Sequence, residues 1–157
     1  MKRRDFMVRI AGLAAVGAAG RSLWAQLPAF AAKPTPITVY KSKSCECCAK
    51  WVDHMKASGF APVIHDEEAM DVLKDEMGVP RGVRSCHTAI VDKYLIEGHV
   101  PASDVRRLMA ERTGTAGLAV PGMPPRTHGM APPGVEVGGY EVLAFQSDGT
   151  TRIFARH

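Results

Sequence analysis

Ile37-Thr38-Val39-Tyr40-Lys41-Ser42-Lys43-Ser44-Cys45-Glu46-Cys47-Cys48-Ala49-Lys50-Trp51-Val52-Asp53-His54-Met55 joins two kinds of local structure across three cysteines. Ile37 to Tyr40 is β-branched and aromatic, which predicts a strand. Trp51 and Met55 lie one helical turn apart, which predicts a helix over Lys50–Ser58 that stops at Gly59. Cys45, Cys47 and Cys48 fall at the junction. No short stretch of backbone turns three neighbouring side chains into one apolar interior, so these thiols point to soft-metal binding or thiol redox chemistry.

Downstream, Phe60 to Ile64 reads as a second strand, and Met70, Leu73 and Met77 have helical spacing ended by Gly78 and Pro80. Thr88 to Val91 and Tyr94 to Glu97 read as strands paired around Asp92-Lys93. Val105, Leu108 and Met109 carry a third helix, from near Pro101 and Ser103 to Gly114. The predicted order, β-α-β-α-β-β-α, is that of a thioredoxin or glutaredoxin core, an α/β class that hosts many functions. In that layout Cys86, the only other cysteine, precedes the third strand, and its segment meets the cluster in space. Gly114 to Gly139 holds seven glycines and five prolines in 26 residues, a predicted loop without helix or strand, and such long loops in compact domains are functional or disordered. Tyr140 to Phe145 and Thr151 to Ala155 read as a C-terminal β-hairpin turned at Ser147-Asp148-Gly149-Thr150. There are no internal repeats.

The N-terminus reads as an export signal. Lys2, Arg3 and Arg4 form a basic start, an apolar small-residue run spans Ile10 to Gly20, and Ala29-Phe30-Ala31 offers a cleavage site after Ala31. Arg3-Arg4-Asp5-Phe6-Met7 resembles the twin-arginine signature. The run is about eleven residues, short of the roughly 20 a membrane span needs. Residues 1–31 are thus the signal, 32–36 a linker and 37–157 a single domain, expected in the periplasm with no membrane span in the mature form. Residues 1–31 also hold five basic residues against one acidic, so a formal charge of +4 becomes zero in the remainder. That excludes nucleic acid as a partner, which needs a basic face on the folded domain.

Export places the thiols where disulfides persist. Any pairing of four cysteines must close a short, strained ring within the cluster or leave one cluster thiol unmatched, so a structural disulfide framework fits poorly. Three readings remain. Thiolates and thioethers are soft ligands for Cu(I) and bridge several ions when crowded. Cys45 and Cys48 are also a C-x-x-C pair at a helix N-terminus, where a thiol pKa is lowered for thiol–disulfide exchange, although Cys47 invites scrambled pairing. Four cysteines can close a zinc site, but zinc ribbons use two separated C-x-x-C pairs. No G-x-S-x-G turn supports a hydrolase, and no phosphate-cradling glycine loop a nucleotide enzyme.

Cys45-x-Cys47-Cys48-x-x-Trp51, Gly78-Val79-Pro80, Ser85-Cys86-His87-Thr88-Ala89, Glu97-Gly98-His99-Val100-Pro101 and Gly117-Leu118-Ala119-Val120-Pro121-Gly122-Met123-Pro124 together resemble the CopG-type family of exported bacterial copper-resistance proteins, once known only as a domain of unknown function. The resemblance runs from about Ile37 to Phe154. It implies a thioredoxin-like domain, periplasmic location and copper handling, with Cu(I) held by Cys45, Cys47, Cys48 and Cys86, and other periplasmic copper-handling proteins as partners. Two departures stand out. Glu46 replaces the more usual Gly, and Thr127-His128-Gly129-Met130-Ala131 replaces the more usual Ser-Pro-Gly-Met-Glu.

Among auxiliary candidates, His87 adjoins Cys86 and either ligates or hydrogen-bonds backbone. Met123 and Met130 lie in the Gly/Pro loop, where there is little core to fill, and are candidate thioether ligands; that loop is expected to fold over the thiols as a partial lid. Met55, Met70, Met77 and Met109 are expected to fill the core. His99 is expected to fix a turn, His65 to sit on a solvated face, and His54 and His157 to have no special role. The expected function is a periplasmic Cu(I)-binding protein for copper resistance or trafficking, most naturally not an enzyme; the alternative is a thiol–disulfide oxidoreductase using Cys45 and Cys48.

Overall fold

A computed structural model describes residues 33–157; the predicted signal lies outside the described residues. A single seven-stranded sheet carries three α-helices. β1 (Thr35–Lys41) leads into α1 (Glu46–Ala57), β2 (Phe60–Asp66), α2 (Met70–Glu76), β3 (His87–Val91), β4 (Tyr94–Glu97), α3 (Ala102–Glu111), β5 (Gly117–Ala119), β6 (Glu141–Phe145) and β7 (Thr151–Arg156). Across the sheet the order is β2-β1-β3-β4-β5-β6-β7. β1 and β2 pair in parallel, as do β4 and β5, and the other neighbours are antiparallel. Among the described residues no helix is long and apolar enough to cross a membrane.

α1 begins at Glu46, not at Lys50, so Cys47 and Cys48 lie in its first turn. Cys45 occupies the N-cap position with extended backbone, and its carbonyl accepts the Ala49 N–H at 3.2 Å. The helix buries Cys48, Trp51, Val52 and Met55, spaced three and four residues apart on one face. That face packs with Ile37, Val39, Ala89, Ile96, Val105 and Leu108 in the main core.

α2 departs from its apolar pattern. Met70, Leu73 and Met77 are only half-buried, and the residue the helix buries is Lys74. A lysine reaches a core only where an opposite charge meets it, and here Glu97 does. β2 is an edge strand whose Val63 and Ile64 stay exposed. The Gly/Pro segment also departs from expectation, because Gly117–Ala119 forms β5 between β4 and β6. Glycine is needed there. A Cβ on Gly117 would strike the Leu95 carbonyl and lie 2.8 Å from Phe145 Cζ.

His54 is not bland. Its Nε2 accepts the Ala102 N–H at 3.2 Å, satisfying a free donor at the start of α3, and its ring stacks on His128 with centroids 3.7 Å apart. His157 is engaged too, with Nε2 at 2.7 Å from an Asp104 carboxylate oxygen.

Two outcomes follow from this packing. Gly117→Ala is expected to destabilise the fold by about 1–3 kcal/mol, the range for overpacking, read by chemical denaturation; an unchanged midpoint would contradict the contact. Burial, then the neighbouring His128, holds His54 down from 6.5 to about 4. A base depressed in the folded state contributes stability fully present above its unfolded value and lost as pH falls from about 6.5 toward 4. His54→Gln keeps an acceptor for Ala102 without titrating, so its unfolding free energy should fall less steeply across that window than the parent's.

Candidate metal centre

β1 and β3 lie antiparallel, with Lys41 opposite His87. The chain therefore leaves β1 toward α1 beside the point where it enters β3, and Cys86 meets the cluster although it lies 38 positions beyond Cys48. The Sγ atoms of Cys45, Cys47, Cys48 and Cys86 all lie within 4.8 Å of one another. Cys48 is fully buried, and the other three are partly accessible.

Two of the four are bridged. Cys45 and Cys48 form a disulfide with their Cα atoms 5.3 Å apart, within the ordinary span for such a bond. The short ring is accommodated, because one helical turn brings positions i and i+3 together. Cys47 and Cys86 are free thiols, so no two-disulfide framework forms. Cys47 Sγ sits 3.5 Å from Cys45 Sγ. Burial, and then the neighbouring Cys47, push the Cys86 thiol up to about 12.

Behind the sulfurs stand two histidines. His87 is fully buried, with Nδ1 3.4 Å from Cys86 Sγ and its ring against Trp51 at 4.3 Å between centroids. The Trp51 indole N–H donates to the Val100 carbonyl at 2.9 Å, which fixes that wall. His99 is buried as well, its ring centroid 5.4 Å from that of His87. Cys48, Cys86, His87 and His99 each offer a ligand atom within 4.8 Å of the others. Burial depresses both imidazoles, His99 to about 4 and His87 well below its ordinary range, so both are neutral at pH 7.

The tautomer of His99 follows from its partner. Thr127, fully buried, places its hydroxyl 3.1 Å from the Pro124 carbonyl and 3.1 Å from His99 Nδ1. A carbonyl only accepts, so the hydroxyl donates to Pro124 and His99 Nδ1–H donates to Thr127. The lone pair of His99 is then on Nε2. His99 Nε2 and His87 Nε2 are both buried without a hydrogen-bond partner. Buried polar atoms are normally paired, and a neutral imidazole whose other nitrogen is tied to an outer group is how metal-ligating histidines are held. The donor set therefore fits a soft metal ion. His99 does more than fix a turn, and the signal available in the sequence was only its place in Glu97-Gly98-His99-Val100-Pro101.

Besides holding His99 through Thr127, the Gly/Pro segment meets α1 beside the thiols. Gly129 lies so close to α1 that a Cβ would fall 2.6 Å from the Cys47 carbonyl and 3.0 Å from the Trp51 nitrogen. Its φ of +94° also favours glycine. Met130 follows, half-buried, while Met123 is 56 % exposed.

Residues 83–130 match the family model described as a protein of unknown function, DUF411. No curated protein matches the chain. Two solved structures, titled copper resistance protein CopG form 1 and form 2, each superpose with a TM-score of 0.72 at 37 % identity, covering 79 % of this chain and 98 % of theirs. With that identity over nearly the whole of those chains, this protein belongs to the CopG copper-resistance family.

Proposed function

We propose that the protein is an exported, periplasmic Cu(I)-binding protein that serves copper resistance or trafficking. Cys45, Cys47, Cys48 and Cys86 hold copper as thiolates, with His87 and His99 completing the inner side through Nε2. The observation that carries this reading is the meeting of four sulfurs within 4.8 Å, backed by two buried imidazole nitrogens that have no other partner. Thiolate and imidazole together suit copper, and crowded sulfurs suit an arrangement in which one thiolate bridges two ions. Loading all four thiolates requires the Cys45–Cys48 disulfide to take two electrons and two protons from a thiol reductant, giving two thiols. Binding then releases the thiol protons, so copper retention weakens as pH falls.

The core is thioredoxin-like in this reading: β2 lies parallel to β1, β3 and β4 run antiparallel beside them, and the cysteines sit at the β1–α1 junction. Residues 1–31 act as the twin-arginine-type signal. The segment carrying Gly129 is the partial lid, and Met130, next to the contact with Cys47, is a better placed thioether than exposed Met123. The alternative, a thiol–disulfide oxidoreductase, draws on the bridged Cys45 and Cys48.

Anaerobic titration of the reduced protein with Cu(I) against a chromophoric chelator separates the two. Tight retention, lowered in Cys86→Ser with the fold intact, is expected; weak, sub-stoichiometric copper together with efficient insulin reduction would favour the oxidoreductase. Thr127→Val keeps volume but removes the acceptor of His99 Nδ1–H, and is expected to weaken Cu(I) binding about tenfold or more, while Thr127→Ser restores it. Equal affinity in both Thr127 variants would remove His99 from the ligand set.

A further inference from the structure

Beneath the thiol loop lies an ion pair that a small domain has no evident reason to bury. Glu97, at the end of β4, is fully buried, and Lys74 of α2 is 2 % exposed. Such pairs add little net stability, because desolvation offsets the attraction. The other partners of the carboxylate are informative. One oxygen, Oε1, accepts from Lys74 and from the backbone N–H of Ser85 at 2.6 Å. The other, Oε2, accepts the Thr88 hydroxyl at 2.7 Å, and Thr88 in turn accepts from Lys74 at 2.8 Å. Ser85 and Thr88 are the residues on either side of Cys86-His87.

We propose that the Glu97 carboxylate, held by Lys74, is a clamp that positions Cys86 and His87 toward the metal centre. It grips the dipeptide at both flanks, so the thiol and the imidazole are aimed by a group that touches neither. Neighbouring contacts point the same way. Gly98 N–H donates to the His87 carbonyl at 3.0 Å, and a Cβ on Gly98 would lie 2.6 Å from the Ser85 Cβ, so glycine lets β4 close on the loop. The Ser85 hydroxyl donates to the Gly122 carbonyl, which ties the same loop to the Gly/Pro segment. Two charges in the core fix the carboxylate more firmly than neutral hydrogen bonds would, since charge-assisted bonds are roughly twice as strong. This inference rests on the copper reading for its purpose, but not for its geometry.

The test uses two double variants of the reduced, metal-free protein, neither of which leaves a buried charge unpaired. Lys74→Met with Glu97→Gln retains a carbonyl acceptor for the Ser85 N–H; Lys74→Met with Glu97→Met fills the space without one. Alkylation at each cysteine is followed by mass spectrometry, with Cys47 as internal reference, and Cu(I) affinity is measured on the same samples. The Gln variant is expected to keep Cys86 slow to react. The Met variant is expected to alkylate faster at Cys86 but not at Cys47, and to lose about tenfold or more in Cu(I) affinity, the range for an outer-shell partner. Identical Cys86 rates in the two variants would overturn the clamp. If neither variant folds, hydrogen exchange of the Ser85 amide in the parent protein decides. Protection like that of β3 amides supports the clamp, and exchange at the solvent rate overturns it. Parent protein that retains no Cu(I) would remove the copper reading, while the alkylation pattern would still judge the clamp.

Discussion

The antiparallel pairing of β1 with β3 is the constraint on which the rest depends. With Val39 opposite Ala89 and Lys41 opposite His87, the exit of one strand and the start of the other coincide in space. All four cysteines lie close in sequence to that coincidence. The hydrophobic core enforces it, because Val39, Ala89, Trp51 and Met55 are all buried in one cluster, and a one-residue slip would turn each strand's apolar set to the wrong face.

From that geometry follows an unusual concentration of polar atoms inside a small domain. Behind the sulfurs, His99 is tied to Thr127, and Cys86-His87 is flanked by groups bound to Glu97. Most of these atoms are satisfied; His87 Nε2 and His99 Nε2 are two of the four buried side-chain atoms without a partner among the described residues, and both belong to residues grouped with Cys48 and Cys86. A buried nitrogen without a partner is destabilising unless something else uses it, and in a CopG-family protein the use that fits is a copper ion. The Cys45–Cys48 bridge adds a redox condition to any such use, since a disulfide sulfur is not a thiolate ligand.

Much of this was legible in the sequence, for reasons that differ by element. The strands β1, β3 and β4 carry β-branched and aromatic runs, and β6 and β7 flank a recognisable turn, so composition and punctuation located them. The cysteine cluster announced itself by density. What stayed hidden depended on tertiary contacts. The first turn of α1, Glu46-Cys47-Cys48-Ala49, carries no large aliphatic or aromatic side chain, so the Trp51–Met55 spacing supports a helix from Lys50 and does not reveal the start at Glu46. Lys74 has no apolar signal, and its burial is intelligible only once Glu97 is seen across from it. β5 has three residues, Gly117–Ala119, too few for an alternating pattern, and it is recognisable only from its pairing with β4 on one side and β6 on the other. In sequence His54 carries no signal of a role and His99 only that of a turn, yet one accepts a helix N-terminal amide and the other lies with Cys48 and Cys86.

X-ray absorption at the copper edge of Cu(I)-loaded, reduced protein tests the central claim most directly. The account predicts a Cu(I) edge with sulfur as the dominant first-shell scatterer and a smaller nitrogen contribution that disappears when His87 and His99 are both replaced by glutamine. A first shell of nitrogen and oxygen alone, or a sulfur shell unaltered by Cys86→Ser, would contradict it.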